Sequence, residues 1–311
     1  MSEILNPLNS CKLISMEQYF NEMIGLYNLK KFPKVLLLNG KKGIGKFTLV
    51  VHFLNYIFTQ NEKEPYDLAN KEINAETQFY KQLINQTNQD VLFIKAEENK
   101  NIKIEDVRNL KSILSRSSFS NNPRFIIIDE VEFMNENSAN ALLKSLEEPS
   151  ENNFFILINN QQADLIKTIS SRCLKNNIFL NAKDTNLIIN FLLKKTNTEN
   201  LIESNVELSP GLFIRFNEIY SKFNLNKNDH ILTKISKLLN IYKKDKDKIL
   251  INLTLFLIDQ YFLKLLKTNE KQLDSLIEKK LSINKNINDF IYYNLNINLV
   301  LNLIETKLNN A

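Results

Sequence analysis

Residues 34–49 read KVLLLNGKKGIGKFTL. Lys34 to Leu38 is a short apolar run with one charge at its start, the length and texture of a buried strand. From Phe47 onward the apolar residues Leu49, Val50, Phe53, Leu54 and Ile57 recur at helical spacing. Between the two lies a turn that takes three of the chain's five glycines: Gly40, Gly43 and Gly45, with only Gly25 and Gly211 elsewhere. Glycine this scarce marks places where the backbone needs freedom or close approach. The stretch therefore predicts strand, glycine loop, helix.

Gly40 to Thr48 almost satisfies the phosphate-loop pattern G-x-x-x-x-G-K-[ST]. In such a loop, backbone N–H groups converge on phosphate oxygens and the following helix N-terminus adds a favourable field. Gly40, Gly43 and Gly45 would form the cradle, and Lys46 would reach the β- and γ-phosphates. The next position should carry a hydroxyl that ligates magnesium. Here it is Phe47, which ligates nothing. Thr48 follows, but one helical step turns a side chain by about 100°, so it is a poor substitute. A glycine turn that merely joins strand to helix stays open as an account of nucleotide binding, less so as an account of the fold.

Asp129 and Glu130 follow the apolar run Phe125-Ile-Ile-Ile128. After a phosphate loop, an apolar strand ending in Asp-Glu reads as the second half of the site. Asp129 would hold magnesium through water and Glu130 would polarise the attacking water. The plain alternative is a solvated strand end.

The runs at Asp90–Ile94 and Phe154–Ile158 add two more candidate strands. Helical patterns lie over 13–31, 104–114, 138–146 and 164–172. Near-continuous apolar strands alternating with helices point to a parallel sheet covered on both faces, an α/β P-loop fold. From about residue 182 the strand-like runs stop. Helical patterns take over at 185–195, 211–222, 229–243, 247–267, 270–281 and 286–308, with the polar stretch FNLNKND, 223–229, as a candidate linker.

Composition sets wider limits. With 311 residues the chain is long enough for two or three domains, and 43% hydrophobic content is ordinary for folded protein. A net charge of +5, from 40 basic and 35 acidic residues, permits an acidic or nucleic-acid partner without demanding one. Two cysteines, Cys11 and Cys173, cannot make a four-ligand zinc site, so no zinc is expected. The start MSEILNPLNS lacks the basic and apolar segments of a signal peptide, and the apolar stretch Ile249–Ile258 is too short to span a bilayer. A reducing cytoplasm and no membrane are the expectations.

Ser171-Arg172-Cys173 closes the helical pattern after the fourth strand. An arginine there answers the helix dipole or projects into a neighbour's nucleotide site as an arginine finger; spacing alone does not choose.

Taken together, Asn140-Ala-Leu-Leu-Lys-Ser-Leu-Glu-Glu-Pro149, Phe154-Phe-Ile-Leu-Ile158 and Ser171-Arg-Cys173 resemble, in order and spacing, the bacterial DNA polymerase III clamp-loader subunits of the AAA+ class. Asp90-Val-Leu-Phe-Ile94 and Ile102-Lys-Ile-Glu-Asp-Val-Arg108 extend the likeness, which covers about 30–180. It implies an AAA+/RecA-like P-loop domain over 1–181, a small helical lid over 182–223 and an all-α collar for oligomerisation over 224–311. Within the family the features favour delta prime, the stator, over the gamma/tau motor. Phe47 spoils the magnesium ligand, no zinc cysteines separate the nucleotide motifs, and 311 residues leave no room for tau's extended tail. Leu208-Ser-Pro-Gly211 is similar to the delta prime lid and lacks the arginine of the motor's second sensor; Arg215 is one turn later.

The resemblance implies that Arg172 completes the ATP site of an adjacent gamma/tau subunit in trans. It also implies that Asn159 lies near the first sensor position. The expected partners are gamma/tau, delta, the sliding clamp and primer–template DNA, in a complex that places the clamp on primed DNA during bacterial replication. The chain would be a subunit of the polymerase holoenzyme without ATPase activity of its own, with binding of ATP or ADP left open. Arg108, Lys111 and Arg116 could face DNA phosphates or form a solvated helix face. Two rivals are a gamma/tau-type motor in which Thr48 rescues magnesium, and a DNA-binding AAA+ adaptor outside replication.

Overall fold

A computed structural model describes residues 6–96, 101–114, 122–202, 208–268 and 273–309. The chain divides into two compact units. The first comprises Met1–Glu199 with Asn205–Ile214, and the second Asn200–Ser204 with Arg215–Ala311.

Among the described residues, the first unit is built on five strands: β1 (Val35–Asn39), β2 (Val91–Lys95), β3 (Arg124–Asp129), β4 (Asn153–Asn159) and β5 (Leu174–Asn177). Their order is β2-β3-β4-β1-β5, and each neighbouring pair is parallel. The helices are α1 (Glu17–Asn28), α2 (Lys46–Phe58), α3 (Gln78–Ile84), α4 (Ile104–Leu114), α5 (Glu136–Glu147), α6 (Lys167–Ser170) and α7 (Ala182–Thr196). Alternate strand residues point to opposite faces. Leu36, Leu38, Phe125, Ile127, Ile156 and Ile158 pack against residues of α1, α2 and α3. Leu37, Ile126, Ile128, Phe155 and Leu157 pack against residues of α4 and α5. An aromatic knot of Phe32, Phe53, Phe125 and Phe154, with ring centroids 4.9 Å apart for the first pair and 5.3 Å for the last, fills one end of the first face. Each such side chain taken from water contributes about 1.5–3 kcal/mol, so both faces hold the sheet rigid.

The four apolar strands expected from sequence are all present. β5 is an addition to them. It is a polar edge strand, Leu-Lys-Asn-Asn, paired on one side to β1, and an edge strand needs no apolar run. The helix expected over 164–172 shrinks to α6, four residues long. The helix expected over 13–31 starts only at Glu17, because Ser15 has φ 56° and the Leu13 N–H is bonded to the Lys71 carbonyl.

α8 (Pro210–Lys222) belongs by its first residues to the first unit and from Arg215 to the second. The second unit continues with α9 (Ile231–Asp245), α10 (Lys248–Thr268), α11 (Leu273–Tyr293) and α12 (Ile297–Asn309). α9 packs on α10 and α12, α11 on α10 and α12, so the four close around Ile235, Leu238, Leu253, Ile258, Ile283, Ile287 and Ile304. α10 is longer than its apolar stretch suggests, and by length and composition alone it would cross a bilayer. Here Leu250, Leu253, Ile258 and Phe262 are buried within the unit and Asp259 pairs with Lys280 of α11 at 2.8 Å. α11 runs through the break expected between residues 281 and 286 and stops at Asn294, whose φ is 50°.

Candidate functional site

The chain leaves β1 at Asn39 and enters its glycine loop at the carboxyl edge of the sheet. From β1 it crosses to β2 on one side, whereas β4, the strand beside β1, leads to β5 on the other. Such a switch point opens the crevice where open α/β sheets take ligands. Gly43 and Gly45 have φ of 82° and 101°. Gly45 is the N-cap of α2 and supplies no side-chain cap, so the first N–H groups of the helix face the loop.

Lys46 is 3% exposed. Its Nζ donates to the carbonyls of Gly40 at 2.7 Å and Lys41 at 2.8 Å, both in its own loop. Burial lowers its pKa to about 8, against the raising influence of Asp129 and Glu132. Phe47 turns away from the loop and stacks on Phe93, centroids 5.6 Å apart at 27°, among the side chains packed on the sheet. Thr48 is half-buried on the next helical position.

Asp129 ends β3, two strands away from β1, Glu130 follows it, and both are buried. Asp129 Oδ1 accepts from the Glu130 N–H at 3.0 Å and from Asn160 Nδ2 at 3.3 Å. Its Oδ2 faces Lys95 Nζ at 3.5 Å. Burial raises the Asp129 carboxyl above the ordinary range, partly offset by Lys95. Glu130 has φ 58°, and its Oε1 accepts from Lys42 Nζ at 2.6 Å. The nearby Glu132 carboxylate accepts the Asn160 N–H at 3.0 Å, and burial raises its pKa too.

Asn159 ends β4. Its Nδ2 donates to Asn39 Oδ1 at 2.9 Å, and Asn39 Nδ2 donates in turn to Asn177 Oδ1 at 2.8 Å. Its own Oδ1 accepts the Gln161 N–H at 3.0 Å. A ladder of three asparagines thus ties the ends of β4, β1 and β5. The start of α8 meets the loop directly: the Gly211 N–H donates to the Gly43 carbonyl at 2.9 Å.

The cradle, a desolvated lysine and a helix N-terminus together suit an anion, because a phosphate beside Lys46 would offset the cost of burying its charge. Magnesium does not fit at position 47, where the side chain is a stacked phenyl ring.

Arg172 is placed elsewhere. It precedes β5, whose Leu174 pairs with Leu36 and whose Asn177 pairs with Asn39. The loop of this chain lies beyond Asn39, so Arg172 is at the opposite end of the sheet, more than about 10 Å back along the strand. Its Nε donates to Glu147 Oε1 at 2.6 Å, its second terminal nitrogen contacts the same oxygen, and Nη1 donates to the Thr168 carbonyl at 2.7 Å. The site residues from sequence therefore form two groups. Gly40, Gly43, Gly45, Lys46, Asp129, Glu130 and Asn159 gather at the carboxyl edge, and Arg172 stands apart. Sequence gives no role to Lys42, Asn39 or Asn160, and Glu147 enters it only within the stretch Asn140–Pro149. They sit beside singled-out residues, but nothing in spacing says that they pair with them. Arg108 and Lys111 lie exposed on α4, while Arg116 lies outside the described residues.

The model of the family described as DNA polymerase III, delta subunit, matches residues 16–180. The DNA polymerase III subunit delta' of Pseudomonas aeruginosa is 34% identical over 140 residues, 45% of this chain and 41% of that one. The DNA polymerase III subunit gamma of Buchnera aphidicola from Schizaphis graminum is 25% identical over 269 residues, 82% of this chain and 68% of that one. Among solved structures, a DNA polymerase III gamma subunit-related protein of Thermotoga maritima is similar with a TM-score of 0.51 at 20% identity, over 92% of this chain and 98% of that one. That likeness supports the AAA+ fold. The match spans less than half the length of the Pseudomonas relative. Matched over more than half its length by the family model, the chain belongs to the DNA polymerase III delta-subunit family, the clamp-loader kind that its delta prime relatives represent.

Proposed function

We propose that this chain is the stator of a clamp loader: it hydrolyses no ATP itself and gives Arg172 to the ATP site of an adjoining gamma- or tau-type subunit. The placement of Arg172 carries this reading. An arginine at the amino end of β5 cannot serve a loop at the carboxyl end of β1, so any phosphate it meets belongs to another chain. A guanidinium is suited to that work, since it is always charged and presents a planar fork to phosphate oxygens. In this reading residues 1–181 form the P-loop domain, 182–223 the lid and 224–311 the collar that holds the ring. The chain works in the cytoplasm. The assembled complex places a sliding clamp on primed DNA, and this chain's own loop holds ATP or ADP without turnover. Arg108 and Lys111 lie on the helix offered to DNA.

The test is ATP turnover by the complex reconstituted with delta- and gamma/tau-type partners. Arg172→Ala should leave assembly intact on size exclusion and lower turnover by about 10³-fold at the affected site. Unchanged turnover refutes the reading. A second reading, a gamma-type motor, draws support from the length of the match to the Buchnera gamma subunit. Phe47 stands against it, and steady ATP turnover by the isolated chain, abolished by Lys46→Ala, would favour it.

A further inference from the structure

We propose that Glu147 is the positioning residue for Arg172, an inference that rests on the trans-arginine reading above. Arg172 follows α6, a helix of four residues that cannot by itself fix a long side chain. Two of its contacts, the Thr168 carbonyl at 2.7 Å and Ser171 Oγ at 3.3 Å, belong to its own local segment and move with it. Glu147 is different. It is the last residue of α5, a three-turn helix capped by Asn135 at its start and anchored by Ala139, Leu142 and Leu146, all buried against the sheet. Its Oε1 takes both Nε, at 2.6 Å, and the second terminal nitrogen of Arg172. One oxygen taking two nitrogens from the same edge of the guanidinium sets the direction of that edge as well as its place. Glu147 thereby ties the finger to the rigid body of the domain.

Two further observations support a role beyond stability. A carboxylate at the last position of a helix faces the negative end of the helix dipole, so α5 itself gains nothing from it. The pair is also open to water, with side chains 30% and 46% exposed, and ion pairs that open contribute little to fold stability. What the pair does supply is a preset direction for a group whose value in a transition state depends on geometry. Misplacement of such a group by an ångström costs on the order of a hundredfold in rate.

The experiment uses the reconstituted complex and follows kcat and KM for ATP separately. Glu147→Gln keeps shape but loses the charge-assisted grip. It should lower kcat by about tenfold while KM changes by less than about twofold, because positioning acts in the transition state. Glu147→Asp, which keeps the charge, should recover part of the loss. Glu147→Gln combined with Arg172→Ala should turn over no more slowly than Arg172→Ala alone, since Glu147 acts only through the arginine. Wild-type kcat in Glu147→Gln, with Arg172→Ala still defective, overturns this proposal and leaves the trans-arginine reading standing. A loss in the double variant beyond that of Arg172→Ala also overturns it. Wild-type turnover in Arg172→Ala removes the underlying reading, and this inference with it.

Discussion

The amide of Gly211 donates to the carbonyl of Gly43 over 2.9 Å, so the start of α8 rests directly on the phosphate loop. Side chains are excluded from both partners. A Cβ on Gly43 would stand 2.8 Å from Ser209 Oγ and 3.2 Å from the Leu212 nitrogen, and one on Gly211 would stand 3.0 Å from the Gly43 Cα. Two of the chain's five glycines are therefore explained by one contact. Three loop carbonyls are thus engaged within the protein, that of Gly43 by the start of α8 and those of Gly40 and Lys41 by Lys46.

Gly43→Ala should accordingly destabilise the protein. The residue has φ 82° and no room for a methyl group, and left-handed backbone plus overpacking costs about 2–3 kcal/mol. Gly25→Ala provides the opposite sign. Gly25 sits inside α1, and a Cβ added there would meet nothing within 4 Å, so alanine should add about 0.5–1 kcal/mol. Urea denaturation of the two variants checks the pair, and equal effects would contradict the contact at Gly43.

Lys46 sets a pH dependence. Its pKa is lowered from 10.5 to about 8 by burial. Below about 8 the folded and unfolded chains both carry the proton, and the cost of burying the charge is present in full. Between about 8 and 10.5 the unfolded chain binds more protons than the folded one, so this residue makes stability rise with pH across that window. Lys46→Met lacks the effect. Between pH 7 and pH 10 the stability difference between the two proteins should move toward the wild type by about 2–3 kcal/mol. Parallel pH profiles would show that the ammonium is not desolvated.

Ile287→Ala should cost about 3 kcal/mol in denaturation experiments, as for other large-to-small changes at buried sites, because α11 is continuous there and Ile283, Ile287 and Phe290 are buried on its inner face. If α11 broke near residue 284, the loss would be small.

That break is one place where sequence and structure part. Ser282-Ile-Asn-Lys-Asn286 interrupts the apolar pattern because four of its five residues are polar, yet Ile283 and Ile287 are buried on one stripe of a continuous helix and Lys285 is exposed on the other. The helix ends where Asn294 takes a left-handed turn, which asparagine tolerates and no hydrophobic pattern announces. β5 escapes notice for a related reason: its Leu174 is 58% exposed, so the strand has no apolar signature and exists because β1 offers it an edge. The inner strands are legible because burial on both faces forces unbroken apolar runs, as in Phe125-Ile-Ile-Ile128. Asp129, Glu130 and Asn159 are legible for the same reason, since they directly follow such runs, while Gly40, Gly43, Gly45 and Lys46 are legible from the glycine loop between strand and helix. Pairings such as Lys42 with Glu130 and Glu147 with Arg172 are not, because they join residues 88 and 25 positions apart through the folding of the sheet.

Phe47→Ser tests what the phosphate loop has lost. In the native chain the ring at this position stacks on Phe93 and packs on the sheet. Removing it opens a partly buried gap and should cost about 1–3 kcal/mol of stability. In return the introduced hydroxyl stands where a phosphate loop places its magnesium ligand. Calorimetry of ATP binding to the isolated protein, with and without magnesium, separates the two consequences. The native chain should bind with the same affinity in either condition, since Lys46 and the helix N-terminus supply the whole interaction. In the Phe47→Ser variant the affinity should rise by about tenfold when magnesium is added. A native chain whose ATP affinity depends on magnesium would mean that Thr48 or Asp129 reaches the metal despite the ring. The loop would then be a working nucleotide site, and the stator reading would have to yield to that of a motor.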